Sequence, residues 1–392
     1  MTNRKDIFKV VLVVCAVVGF LVFCNPLPSW SQGPMHAKAP SDIWKPRQVP
    51  AGARFANQNS CAECHADKTT SYQHHAMAKA LETVAESQIL RAHPRLTFRN
   101  GPFSYQVVRQ GEQSIYTVTD GVNTISEPIL YSFGQGRAGQ TYVLQHKGQF
   151  YESRLSFYND TQGLDVTLGY PPTAPASLDE ALGRAMSPEE TKNCFSCHAT
   201  AAVSGSQLQL DKMMPGVSCQ ACHGPGEQHV VAMKAGNFKQ KYIYNPGTLS
   251  ADDQSQEFCA SCHRGVEDVI ALPNSGGINN VRHQPYRIFN SKCYGDDRRI
   301  SCTACHDPHE PLKINSAVFY DAKCNACHLP SPKVKLAKNV QVAKDRTAPF
   351  CPVGTQNCAS CHMPKTDLPG AHFKFTDHRI RVVKPGAPFP TE

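Results

Sequence analysis

The sequence contains no lysine- and arginine-rich tract with interleaved aromatics, so its formal charge of +8 is no argument for a nucleic-acid partner. Its longest apolar run, residues 10–24, is short for a bilayer span. It has no fixed-period repeat, which excludes a solenoid. Gly134-Gln135-Gly136 is not followed by a helix with a third spaced glycine, which excludes a dinucleotide loop. No output domain of a sensor is visible. What remains is a loop-rich globular chain in which Pro and Gly are frequent.

Cysteine is abundant. Of 18 cysteines, fourteen fall into seven Cys-x-x-Cys pairs, and a histidine follows each pair immediately. The pairs are Cys61/Cys64, Cys194/Cys197, Cys219/Cys222, Cys259/Cys262, Cys302/Cys305, Cys324/Cys327 and Cys358/Cys361. The histidines are His65, His198, His223, His263, His306, His328 and His362. Cysteines at i and i+3 share one face of a helical turn. Their sulfurs can form thioethers to the two vinyl groups of one haem, and the next residue supplies the proximal imidazole to the iron. Zinc sites and thioredoxin-like motifs also use Cys-x-x-Cys, but neither requires a histidine after every pair. The cofactor expected is therefore haem c, seven times, held covalently.

Haem changes the charge balance. Removing residues 1–31, which hold Arg4, Lys5, Lys9 and Asp6, leaves about +6. Two propionates per haem add about −14 and seven ferric cores about +7, so the oxidised holoprotein is near −1.

Seven of the 17 histidines are spent on proximal ligation. Sixth ligands are expected among His229, which follows the third motif by a short turn, His309 in Cys-His-Asp-Pro-His, His372, His378 and His283. One of His74, His75 and Met77, after the first motif, is expected to join them; methionine would raise that haem's potential. His93 and His146 border a segment without cysteine, and His36 lies in a linker. Cys293 and Cys351 either form a disulfide in an oxidising compartment or remain as thiols.

Residues 1–31 read as a secretory signal peptide, with a retained N-terminal membrane anchor as the alternative. Cys15 and Cys24 belong to that segment. Residues 32–93 form a linker and the first haem segment, with Lys68–Glu86 predicted helical. Residues 94–170 form a cysteine-free β module. Its predicted strands are Phe103–Arg109, Ser114–Thr119, Ile125–Phe133, Thr141–His146 and Gln149–Ser156, and Gly111, Asp120-Gly121 and Lys147-Gly148 are its turns. Residues 171–392 carry the other six motifs. The expected fold is mainly α and irregular, with short helices wrapped on stacked haems and a small antiparallel β insert.

Cys219–His229 (CQACHGPGEQH), Cys302–His309 (CTACHDPH), Cys358–Pro364 (CASCHMP) and Thr376–His378 (TDH) resemble the multihaem cytochrome c superfamily. That superfamily includes the tetrahaem cytochrome of ammonia oxidisers, hydroxylamine oxidoreductase and pentahaem nitrite reductase. The likeness is greatest to a bacterial branch often fused to tetratricopeptide repeats, which has motifs like Gly134–Tyr142 (GQGRAGQTY) and Leu168–Tyr170 (LGY). It covers about residues 58–380. The resemblance implies closely stacked, mostly bis-His haems forming an electron wire in the periplasm or otherwise outside the cytoplasm. Redox partner proteins or a membrane quinol-oxidising complex would exchange electrons with it. The chain has no Cys-x-x-Cys-Lys motif, has seven haem motifs where hydroxylamine oxidoreductase has eight haems, and lacks the repeats, so enzymatic activity does not carry over. The alternative is an oxidoreductase with one open haem acting on a small nitrogen or sulfur compound.

Overall fold

The computed structural model describes residues 44–271, 276–295, 300–313, 316–328, 351, 353–384 and 386–390. The N-terminal segment 1–31, Cys15, Cys24 and His36 lie outside them.

The dominant element is a nine-stranded antiparallel sheet. Its strands are β1 (Leu81–Thr83), β2 (Arg95–Asn100), β3 (Phe103–Gln110), β4 (Gln113–Thr119), β5 (Thr124–Phe133), β6 (Gln140–His146), β7 (Gln149–Tyr158), β8 (Gly163–Val166) and β9 (Gly183–Ala185). β2 to β8 run as a meander in chain order, with β1 added on β5 and β9 on β7. The two ends of the meander, β2 and β8, meet, so the sheet is nearly closed and barrel-like. Register shifts between Ile129 and Tyr131 and between Thr141 and Val143 bend the sheet toward closure.

The sheet corrects the expectation of a mainly α protein: about a third of the structure, 32%, is helical. The reason lies in the haem-motif segments. Their helices are short, the longest being Ala317–His328 at 12 residues. The cysteine-free segment, by contrast, alternates apolar and polar residues at the strand period over a long stretch. Phe103, Tyr105 and Val107 of β3 and Tyr116 and Val118 of β4 point inward with Leu144, Leu155 and Phe157 to form the main core. The five predicted strands are all present, with ends shifted by at most two residues.

A second correction concerns Lys68–Glu86. Helix is confined there to Ala66–Tyr72; turns follow, then β1. Good helix formers lose because Leu81–Thr83 gains a strand partner in Tyr131–Phe133 and buries Leu81.

Candidate haem centres

Every Cys-x-x-Cys-His motif lies on or at the end of a helical turn. The first follows from Asn59–Ala62, and His65 N–H donates to the Cys61 carbonyl at 2.9 Å. The second ends helix Pro188–His198, which starts with a capping box between Ser187 and Glu190. The third and seventh are helices Cys219–His223 and Cys358–His362. The fourth spans the end of a π-helical stretch, Asp253–Cys259, and the turn Ala260–His263. The fifth opens with the 3-10 turn Cys302–Ala304. The sixth ends helix Ala317–His328, whose Asp321 carboxylate accepts from the N–H groups of Asn357 and Cys358 at 2.7 and 2.8 Å. One carboxylate thus ties the sixth motif to the seventh.

The motif cysteines are not equally sheltered. Cys64, Cys327 and Cys361 are exposed, whereas the other eleven motif cysteines are half-buried. Each of the three is the second cysteine of its pair. Cys64 follows the short helix Asn59–Ala62, and Cys327 and Cys361 lie one residue before the ends of Ala317–His328 and Cys358–His362. The last turn of a short helix has no further turn beyond it to cover its side chains. Exposure does not disqualify these thiols, because a thioether is a covalent bond and does not depend on burial for its strength. The first, sixth and seventh motifs are thus the ones with an exposed cysteine among the described residues.

Motifs distant in sequence are neighbours in space. The Cys61 thiol contacts that of Cys219, Cys197 contacts Cys262, Cys259 contacts Cys302, and Cys324 contacts Cys358. Cys222 and Cys259, and likewise Cys305 and Cys324, are close enough to influence one another's ionisation. All seven motifs therefore belong to one connected network, branched at the fourth, which neighbours the second, third and fifth. Among the described residues no three His, Cys, Asp or Glu side chains converge as a tetrahedral ion site requires.

Among the described residues, three motif histidines have a second imidazole beside them. The ring centroids of His65 and His229 lie 6.5 Å apart, with planes 15° apart. Those of His223 and His309 lie 6.0 Å apart, with planes 20° apart. His306 and His378 lie 6.3 Å apart at 43°. A metal–imidazole bond is about 2 Å and the ring centre lies about 1.1 Å behind the nitrogen, so two imidazoles facing across one metal sit about 6 Å apart. The observed spacings match.

The far ring nitrogens are held as metal-ligating histidines require. Nδ1 lies 3.0 Å from the Ala80 carbonyl in His198, 3.0 Å from that of Tyr244 in His223 and 2.9 Å from that of Arg381 in His362. In the facing set, Nδ1 of His229 meets the Lys241 carbonyl at 2.5 Å, and that of His378 meets the Thr376 carbonyl at 3.0 Å. His309 uses the Asp307 carboxylate at 3.2 Å. With Nδ1 as donor, Nε2 keeps its lone pair for a metal. Burial favours the same neutral form, pushing the imidazoles of His198, His223, His263 and His306 below their ordinary range. Burial also pushes the Cys194 and Cys222 thiols up to about 11. The residues present fit haem c.

The other candidate ligands are placed differently. His74 is exposed, whereas His75 is buried, stacks on Tyr72 at 5.6 Å, and accepts the Met77 N–H on Nδ1 at 3.0 Å. Met77 is half-buried, and its carbonyl accepts from Val217 N–H. His283 is buried, with Nε2 3.4 Å from the Arg264 guanidinium. His372 bonds the Asp165 carboxylate at 2.8 Å and packs on Tyr158. His93 packs on Phe157, and His146 bonds Glu127 at 2.7 Å. Cys293 and Cys351 are free thiols.

Sequence reasoning missed the sheet's part in the second motif. Phe195, between Cys194 and Cys197, is fully buried edge-on against Tyr131 and Phe133 of β5, 5.0 and 5.2 Å away. Its aromatic side chain inside a Cys-x-x-Cys pair was the available signal. The carbonyls that orient the histidines had none.

The family model described as "Cytochrome c554 and c-prime" matches residues 60–99 and 172–224, which carry the first three motifs. The chain is 26% identical over 206 residues to the protein named "Multiheme cytochrome MtrA" from Shewanella baltica (strain OS185), covering 50% of this chain and 52% of that one. The chain thus spans about half the length of this curated relative. The crystal structure of the outer cell wall cytochrome OcwA is similar with a TM-score of 0.49 at 14% identity, covering 84% of this chain and 80% of that one.

Proposed function

We propose that this protein, a multihaem c-type cytochrome, holds seven haems c in one connected network and passes electrons between redox partners outside the cytoplasm. The observation that carries the reading is the set of three imidazole pairs at 6.0–6.5 Å, each joining a motif histidine to one from elsewhere in the chain. Iron porphyrin supplies one-electron chemistry when bound, at a potential tuned by axial ligand and surroundings.

The chain's own residues do the rest. Each Cys-x-x-Cys pair anchors one cofactor and the following histidine reaches its iron. His229, His309 and His378 fill the opposite positions, which reserves those centres for electron transfer. Carbonyls at Ala80, Lys241, Tyr244, Thr376 and Arg381 fix ring orientation and leave Nε2 facing the metal. Packing of the motifs against one another keeps successive centres close. The barrel-like sheet seats the second motif through Phe195. Within the superfamily, the Gly134–Tyr142 and Leu168–Tyr170 motifs favour the bacterial branch often fused to tetratricopeptide repeats. Partners would be redox proteins or a membrane quinol-oxidising complex. Among the described residues no helix is long and apolar enough to cross a membrane.

The test is the mass and spectrum of the protein made in a host that matures c-type cytochromes. After denaturation the mass should exceed the polypeptide by seven haems, and the ferric spectrum should be low-spin. A bare-polypeptide mass, or a high-spin signal that changes with nitrite or hydroxylamine, would overturn the carrier reading.

A further inference from the structure

Residues 376–381 touch two candidate centres at once. His378 faces His306 of the fifth motif at 6.3 Å, while the Arg381 carbonyl accepts from Nδ1 of His362 in the seventh at 2.9 Å. Between them sits the Asp377 carboxylate, fully buried and clamped by three groups. Arg287, also fully buried, grips it bidentately: Nε to Oδ1 at 2.8 Å and Nη2 to Oδ2 at 2.9 Å. Arg381 Nη1 bonds Oδ2 at 2.5 Å. The Arg379 N–H donates to Oδ1 at 2.9 Å, which closes the chain around His378.

The clamp is rooted elsewhere. Arg287 Nη1 bonds Asn280 Oδ1 at 3.1 Å and the Pro390 carbonyl at 3.2 Å, and the guanidinium lies 4.5 Å from the centre of the Phe389 ring. One turn on, the Ser291 hydroxyl donates to the His378 carbonyl at 2.9 Å and accepts from Ile380 N–H at 2.8 Å. A bidentate pair in a dry site has one geometry and a steep cost for leaving it. The backbone on both sides of His378 is therefore fixed.

We propose that Asp377 is a positioning residue shared by two redox centres: clamped by Arg287 and Arg381, it sets His378 opposite His306 and the Arg381 carbonyl against His362. This rests on the haem reading above. The cluster has a second effect. Two guanidiniums and one carboxylate leave a net positive charge beside both centres, and losing the carboxylate makes the surroundings more positive. That disfavours the ferric state, whose core carries one more charge than the ferrous.

The experiment compares holoprotein with Asp377→Asn and Asp377→Glu by potentiometric titration and low-temperature electron paramagnetic resonance, with far-UV circular dichroism and haem content as folding checks. Asp377→Asn should raise the midpoint potentials of two centres and alter the bis-imidazole signal of one, leaving the others in place. Asp377→Glu should restore the potentials in part. If Asp377→Asn does not fold, Ser291→Ala, which removes only the hydroxyl on the His378 segment, should still alter the signal of that one centre. Unmoved potentials in folded Asp377→Asn, a uniform shift of all centres, or an unchanged signal in Ser291→Ala would overturn the proposal. Wild-type protein with no bis-imidazole signal at all would instead overturn the haem reading itself.

Discussion

The imidazoles of His223 and His309 have ring centroids 6.0 Å apart and planes 20° from parallel, although they come from different motif segments. Each has its far nitrogen occupied, His223 by the Tyr244 carbonyl and His309 by the Asp307 carboxylate. Two rings so held enclose the space that a ligated metal needs. Replacing His309 by Ala should open one centre without touching its thioether cysteines, Cys219 and Cys222. The covalent haem mass should stay constant while about one seventh of the haem turns high-spin and becomes reactive to cyanide. Optical and paramagnetic resonance spectra check this.

Phe195 is the anchor between the sheet and the second motif. Its ring meets Tyr131 and Phe133 edge-on and has no exposed surface. Phe195→Ala should cost about 3–5 kcal/mol, as deletion of a buried aromatic does. Denaturant titration gives the loss, and a double mutant with Tyr131→Ala should lose less than the sum of the single changes.

Tyr142 is fully buried, and among the described residues its hydroxyl has no hydrogen-bond partner. Burial raises its phenol strongly. Tyr142→Phe removes a desolvated polar atom and keeps the ring, so stability should be unchanged or higher by about 1 kcal/mol. Denaturant midpoints of the two proteins decide it.

Gly216 has φ of +71°, and a Cβ there would stand 2.0 Å from the Ala78 carbonyl oxygen. The next residue, Val217, bonds Met77 and Tyr72 through its backbone. Gly216→Ala should therefore cost more than about 2 kcal/mol, combining left-handed strain with a backbone clash. Gly236 has φ of +74° with nothing within 4 Å of its would-be Cβ. Gly236→Ala should cost only about 1 kcal/mol. Parallel melting curves separate the clash from the strain.

The meander was legible because its signal is local. Phe103, Tyr105 and Val107 alternate with polar residues, and Lys147-Gly148, with φ of 50° and 81°, turns where the hairpin needs it. The extent of the sheet was not legible. β1 sits in a run of good helix formers and β9 is three residues long, so each exists through its partner strand and not through its own composition. The motifs read alike in sequence, yet Cys64, Cys327 and Cys361 stand at the surface while their counterparts are half-buried, because cover comes from neighbouring segments. Seven of the eight distal candidates are histidines and the eighth is Met77; closeness to a motif favoured His229 and His309, but nothing local showed which motif histidine any of them would face. Arg287 and Asp377, ninety positions apart, carried no mark of their pairing.

Residue chemistry at fixed short spacing determined the seven Cys-x-x-Cys-His motifs that we propose as haem anchors, because two thiols and an imidazole on one helical turn need no other part of the chain. Tertiary structure alone decided which imidazoles stand opposite one another, which motifs are neighbours, and how far the sheet extends. Those are long-range pairings. Their free energy comes from burial and from ion pairs such as Arg287–Asp377, whose partners meet only after the chain has closed loops of many residues.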